Sequence, residues 1–157
     1  MANPDYVADE SLEQHRASLM EFFGTFPLFK LLGIEVLEID PGHSKLQIAY
    51  RPDLCQPMGI MHGGIIATLI DTAIAHSILL TKRCMEAHAR GARLVTVDLR
   101  IKYHRPVSGG IITCEAHTPR VGRTITHSTA VVTNEDGKEV ATGDSIYMTA
   151  EVQKPKE

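Results

Sequence analysis

Met61-His62-Gly63-Gly64-Ile65-Ile66-Ala67-Thr68-Leu69-Ile70-Asp71 decides how the rest of this chain is read. A histidine and two glycines open a long apolar run. From Gly63 to about Thr81, the residues Ile65, Ile66, Leu69, Ile70, Ala73, Ile74, Ile78 and Leu79 cover more than one stripe of a helix. A helix apolar nearly all round is a buried one. Asp71 is the lone carboxylate inside it, nine residues past His62. Burying an unpaired ionised carboxylate is costly, so the position calls for a reason, and catalysis is one.

Working outward toward the N-terminus, residues 52–61 read as a loop. Before it, Gly33 to Asp40 alternates apolar and acidic residues, Pro41-Gly42 is a turn signal, and Ser44 to Arg51 continues as a second strand. A first helix is expected from about Asp9 to Phe23, with Leu12, His15, Leu19, Phe22 and Phe23 near one face and Gly24 as its stop. All four phenylalanines (Phe22, Phe23, Phe26, Phe29) crowd this region, where they either roof a ligand pocket or cap the edge of the core.

Toward the C-terminus, Lys82 to Arg93 reads as a polar, basic connection. Strands are expected over 94–104, 111–120, 125–134 and 139–150, with turns at 106–110, Val121-Gly122-Arg123 and Glu135-Asp136-Gly137-Lys138. Short turns make the late strands antiparallel. The expected architecture is α+β, an antiparallel sheet of about six strands wrapped around one long central helix. Residues 1–30 form a helical segment packing on a 31–152 domain, with 153–157 a loose tail.

A chain of 157 residues favours one domain with its own core. Sixteen basic against 19 acidic residues give a formal net charge of −3, which offers no electrostatic case for nucleic acid. Cys55, Cys84 and Cys114 are odd in number and show no CxxC pair, so neither a disulfide framework nor a zinc knuckle is expected. A reducing cytoplasm suits them. The polar start Met1-Ala2-Asn3-Pro4-Asp5 lacks a signal-like apolar segment, and no run is long enough for a membrane span. His43, His88, His104, His117 and His127 show no metal-ligand spacing, and no metal or other cofactor is expected. His76 and Ser77 are adjacent on the helix and point about 100° apart, which speaks against a nucleophile–base pair.

The element order, His62-Gly63-Gly64 and Asp71 together resemble the hotdog-fold acyl-CoA thioesterases, in particular their PaaI-like branch. The likeness runs from about Leu31 to Ala150. It includes Leu32-Gly33-Ile34, Val97-Asp98-Leu99-Arg100-Ile101-Lys102-Tyr103, Val121-Gly122-Arg123-Thr124, Thr133-Asn134-Glu135-Asp136-Gly137-Lys138 and Ala141-Thr142-Gly143. The resemblance implies hydrolysis of an acyl-CoA, with the free acid and CoA as products. It implies Asp71 as nucleophile or general base, the Gly63 amide as donor to the carbonyl oxygen, Gln56 as an orienting side chain and Thr96 near the attacking water. Many PaaI-like members carry Asn where Gln56 stands; Gln is more typical of a hydroxybenzoyl-CoA branch whose helix acid is Glu.

The residues bear this chemistry. A helix N-terminus presents free N–H groups and a positive dipole end, which suits a developing oxyanion, and glycine permits close approach. His62 is expected to shape and orient the loop, Gly64 to permit packing, and Met61 to line the same site. Thr96 is otherwise an ordinary strand residue and Gln56 an ordinary loop residue. Arg93, Arg120 and Arg123 are candidate partners for the CoA phosphates. Asp71 lies eight residues past Gly63, roughly 12 Å along a helix, so one helix cannot present both groups to one carbonyl. A symmetric dimer, or a dimer of dimers, with two equivalent shared sites follows. Two other readings use the same fold. A hotdog dehydratase or hydratase needs a second acid–base group near His62, and none is evident. A non-catalytic acyl-CoA or acyl-carrier binding module gains nothing from the desolvation of Asp71.

Overall fold

The computed structural model describes residues 10–151. The elements in chain order are α1 (Glu10–Thr25), α2 (Pro27–Leu32), β1 (Ile34–Asp40), β2 (His43–Ala49), α3 (Gly63–Leu79), α4 (Lys82–Ala89), β3 (Ala92–Tyr103), β4 (Ile111–Val121), β5 (Ile125–Asn134) and β6 (Glu139–Glu151). All six strands form one antiparallel sheet in the order β1-β2-β4-β5-β6-β3. The sheet wraps around α3, the hotdog arrangement. The first residues of the expected N-terminal segment, up to Asp9, and the tail 153–157 lie outside the described residues.

Helix α3 is apolar enough to be swallowed by the sheet. Leu69, Ile70, Ala73, Ile74 and Ile78 are almost completely buried against Leu46, Ile48, Ile112, Cys114 and Val132. A buried helix also needs its register fixed, and polar bonds supply it. Ser44 Oγ donates to the Ala73 carbonyl at 2.6 Å. Ser77 Oγ and Thr118 Oγ1 are 2.6 Å apart, and Thr118 continues to Ser128 at 2.6 Å. Gly143 on β6 closes the fit, because a Cβ there would stand 2.6 Å from Ile70 Cγ2.

Three local expectations need correction. The stretch 82–93 is not a plain connection: Thr81 starts a second helix, α4, which buries Cys84 and Ala87 three residues apart. That weak apolar spacing is hidden by the charges around it. With α4 ending at Ala89, β3 begins two residues earlier than expected, at Ala92. Gly24 does not stop α1, which runs to Thr25; Pro27 then opens the unexpected one-turn α2, which Gly33 ends at φ 73°.

The phenylalanines gather over a histidine. Phe23 and Phe29 place their rings 4.1 and 5.6 Å from that of His76, which is 2% exposed. His76 Nδ1 bonds the Thr72 carbonyl at 2.7 Å and Nε2 has no partner among the described residues, so the ring is neutral with its proton on Nδ1. Burial pushes its pKa down to about 4. An unfolded chain takes up a proton near pH 6.5 that the folded chain refuses. Stability therefore falls as pH drops from about 6.5 to about 4, by roughly 3 kcal/mol, and is flat in this respect below that. Urea unfolding at successive pH values is expected to show this slope, and His76→Leu to remove it. An unchanged slope in His76→Leu contradicts the assignment.

Candidate active site

Asp71 follows Ile70, the residue seated over Gly143, and this places its side chain beside the inward-facing Tyr147 of the same strand. The register pairs Thr96 of β3 with Tyr147 of β6. Both hydroxyls donate to one carboxylate oxygen: Tyr147 Oη to Asp71 Oδ1 at 2.6 Å and Thr96 Oγ1 to the same oxygen at 3.0 Å. Tyr147 Oη also lies 2.7 Å from the Asp71 carbonyl. Burial, and then the bond to Asp71, push the Tyr147 phenol well above its ordinary pKa and keep it a donor. Among the described residues, Oδ2 has no hydrogen-bond partner, and Asp71 itself is half-buried. One oxygen is thus clamped and the other is free to react. Tyr147 was not foreseen; its signal is a tyrosine on the inward phase of β6, two and four residues past Ser145 and Gly143.

The other half begins at His62, which caps α3. Its Nδ1 accepts from the Gly64 N–H at 2.9 Å. A Cβ on Gly64 would stand 3.0 Å from that nitrogen, so the cap needs this glycine. Gly63, at the first helical position, keeps an N–H with no acceptor inside the helix. Tyr103, also unforeseen, donates to the Gly63 carbonyl at 2.8 Å and covers Gly63 with its ring. A cavity of about 340 Å³ opens here, lined by Gln56, Met61, Gly63, Tyr103, His104 and Arg105 among others. Met61 is buried and held by its N–H to the Val107 carbonyl at 2.8 Å. Gln56 is half-buried, and its Oε1 accepts from the Met58 N–H at 2.9 Å.

Within one chain the structure thus brings together Asp71, Thr96 and Tyr147, and separately Gln56, Met61, His62, Gly63 and Gly64. It does not join the two groups: neither Asp71 nor Thr96 lines the Gly63 cavity. Arg93, Arg120 and Arg123 are exposed and sit toward the other end of the sheet, where β3 begins and β4 ends. His43 of β2 and Glu115 and His117 of β4 present ligating atoms within 4.8 Å of one another on the sheet face turned away from α3. Nothing connects them to Asp71.

A family model described as the thioesterase superfamily matches residues 58–141. The chain is 31% identical over 117 residues to acyl-coenzyme A thioesterase 13 of Homo sapiens, covering 73% of this chain and 79% of the relative. It is 28% identical over 131 residues to the medium/long-chain acyl-CoA thioesterase YigI of Salmonella typhimurium, covering 78% and 84%. Among solved structures, a point mutant of the phenylacetic acid degradation protein PaaI from Thermus thermophilus superposes with a TM-score of 0.66 at 27% identity, covering 78% of this chain and 98% of that one.

Tyr147→Phe leaves Thr96 as the lone donor to Oδ1 and frees the carboxylate to rotate. Loss of a hydrogen bond to a charged group is expected to lower the turnover number for thioester hydrolysis about tenfold, with KM changed by less than about twofold. Steady-state kinetics of the folded variant check this; an unchanged turnover number contradicts the clamp.

Proposed function

The chain belongs to the thioesterase superfamily, and from that premise we propose that it hydrolyses acyl-CoA thioesters at a site shared between two copies of itself. The observation that carries the reading is the half-buried Asp71 carboxylate, with Oδ1 clamped by two hydroxyls and Oδ2 without a partner among the described residues. A purely structural aspartate would use both oxygens.

Asp71 Oδ2 attacks the thioester carbonyl carbon, or takes the proton of a water that does. The carbonyl oxygen gains negative charge and is met by the Gly63 N–H at the positive end of α3. Collapse expels the CoA thiolate. If the carboxylate attacked, water then hydrolyses the mixed anhydride. His62 and Gly64 hold the helix mouth in shape, Gln56 orients the thioester, and Thr96 and Tyr147 fix Asp71. These steps call on no metal or other cofactor. Arg105 brings a positive charge to the Gly63 cavity and His104 lies beside it, and we assign the CoA phosphates to these two side chains. Arg93, Arg120 and Arg123 lie outside that cavity.

Two copies are required because the halves are about 12 Å apart along α3. Two surfaces support the pairing. Strand β3 is a 12-residue edge of the sheet, with Val95, Val97 and Tyr103 exposed by 36%, 57% and 53%. A long apolar edge is an invitation to pair. Beside it runs the incompletely buried stripe Gly64, Thr68, Asp71, Thr72 and Ala75 of α3. A two-fold axis there places Asp71 of each copy toward the other's Gly63.

Two variants test this together. Asp71→Asn is expected to lower thiol release by a hundred- to ten-thousandfold while retaining acyl-CoA binding. Gly63→Pro deletes the N–H yet suits the first helical position, since His62 at φ −65°, ψ 134° already has the backbone a proline requires of its predecessor. It is expected to cost about 10²–10³-fold. Mixing and refolding the two inactive variants is expected to restore about a quarter of wild-type activity, because half the dimers then carry one intact site of two. No recovery on mixing contradicts the shared site. Binding without hydrolysis across aryl and aliphatic acyl-CoAs makes the protein a binding module instead.

A further inference from the structure

A second cavity, of about 330 Å³, lies between α1, the end of α3, α4 and the start of β3, walled by Leu19, Leu79, Leu80, Cys84, Met85 and Leu94. This volume falls in the range of about 300–1,000 Å³ typical of small-molecule pockets. Its walls are apolar, and burial pushes the Cys84 thiol up to about 11, so that group is neutral there. The exposed His15, Ser18 and His88 stand at its rim.

The cavity is aligned with Asp71 by two elements. On α3, Asp71, Ala75 and Leu79 recur every four residues and are all half-buried, so they form one row along the helix. On β3, Thr96, Leu94 and Ala92 alternate onto the same face, and Leu94 and Ala92 line the cavity. Thr96 bonds Asp71, and the next cross-strand pair along, Leu94 with Thr149, is cavity wall on both strands. The helix row and the strand row thus run from the carboxylate to the cavity, with the small Ala75 between. The distance from Asp71 to Leu79 is about 12 Å along the helix.

We propose that this cavity takes the distal part of an unbranched aliphatic acyl chain whose thioester carbonyl is at Asp71, and that α1 and α4 set the chain length accepted. The inference rests on the acyl-CoA reading above and adds the substrate class to it. The CoA moiety departs on the Gly63 side and the tail runs the opposite way, into the chain that supplies Asp71. Since a carbon–carbon bond of ~1.5 Å advances an extended chain by roughly 1.3 Å, a chain of about eight to ten carbons reaches the cavity and fills its depth. A flat aryl group ends near Ala75 and leaves the cavity empty.

Thiol release is measured over straight-chain acyl-CoAs from acetyl to hexadecanoyl, with benzoyl- and phenylacetyl-CoA alongside. The full chain is compared with Ala92→Phe, which fills the cavity from its floor, and Ser18→Phe, which fills it from its exposed rim and leaves the core intact. Direct titration of decanoyl-CoA and free CoA into each protein runs in parallel. For the wild type, kcat/KM is expected to rise about tenfold or more from butanoyl to decanoyl and to exceed the aryl values. At least one folded variant is expected to lose that rise, with butanoyl-CoA hydrolysis within about twofold of wild type. An aryl preference, a flat profile, or unchanged profiles in both folded variants overturns the inference while leaving the thioesterase reading intact. Absence of hydrolysis with decanoyl-CoA binding that Ser18→Phe weakens overturns the thioesterase reading and keeps the cavity as a chain site. Absence of both overturns the two together.

Discussion

The seating of Ile70 over Gly143 is the contact on which the rest depends. A sheet that wraps a helix must let it approach closely at one point, and β6 does so by omitting a side chain where Ile70 arrives. Any residue larger than glycine would lift α3 from the sheet. The polar bonds from Ser44, Thr118 and Tyr147 to α3 are between 2.6 and 2.7 Å and would not survive such a lift. The same contact therefore fixes both the core and the carboxylate beside it. Because Tyr147 follows Gly143 on the inward phase of β6, its hydroxyl reaches Asp71 only if Ile70 is fully seated.

Periodicity made the architecture readable because each long element has a strong one. The apolar run after Gly63 has no charged residue until Asp71, and β2, β4 and β5 alternate with almost no exception. What escaped are elements whose pattern is weak or short. Helix α4 carries two buried residues in eight, set among Lys82, Arg83, Glu86 and His88, and its composition is that of a surface connection. The one-turn α2 exists because Pro27 opens it and Phe29 docks, which no period can signal over six residues.

The site was readable on one side only. His62, Gly63 and Asp71 stand out because glycine pairs and buried acids are unusual in an apolar helix. Thr96 is reached from the sequence only through the family resemblance and Tyr147 not at all, because both come from strands where hydroxyl and aromatic residues are commonplace, and only the register tells which of them meet Asp71. Tyr103 is the same case against Gly63. Long-range pairing chooses among ordinary residues, and a linear reading has no access to that choice. The grouping of His43 with Glu115 and His117 arose in the same way, from the pairing of two strands far apart in the chain.

The division of the proposed site into halves follows from what a helix can do. Its N-terminus offers uncommitted amides, and its middle offers a stiff, half-buried position for an acid, but the two are never adjacent on one helix. An oxyanion donor and an attacking group that meet the same carbonyl must then come from different helices, and this fold has only one at its centre. Duplication by a two-fold axis supplies the second without new sequence. Such a solution requires that the acid stay partly open and that its strand neighbour form a sheet edge, and both conditions hold in this chain. An edge strand with exposed valines would be a hazard in a protein that worked alone; here it lies against the one stripe of α3 that the sheet leaves uncovered, and a partner copy that buried the first would also close over the second.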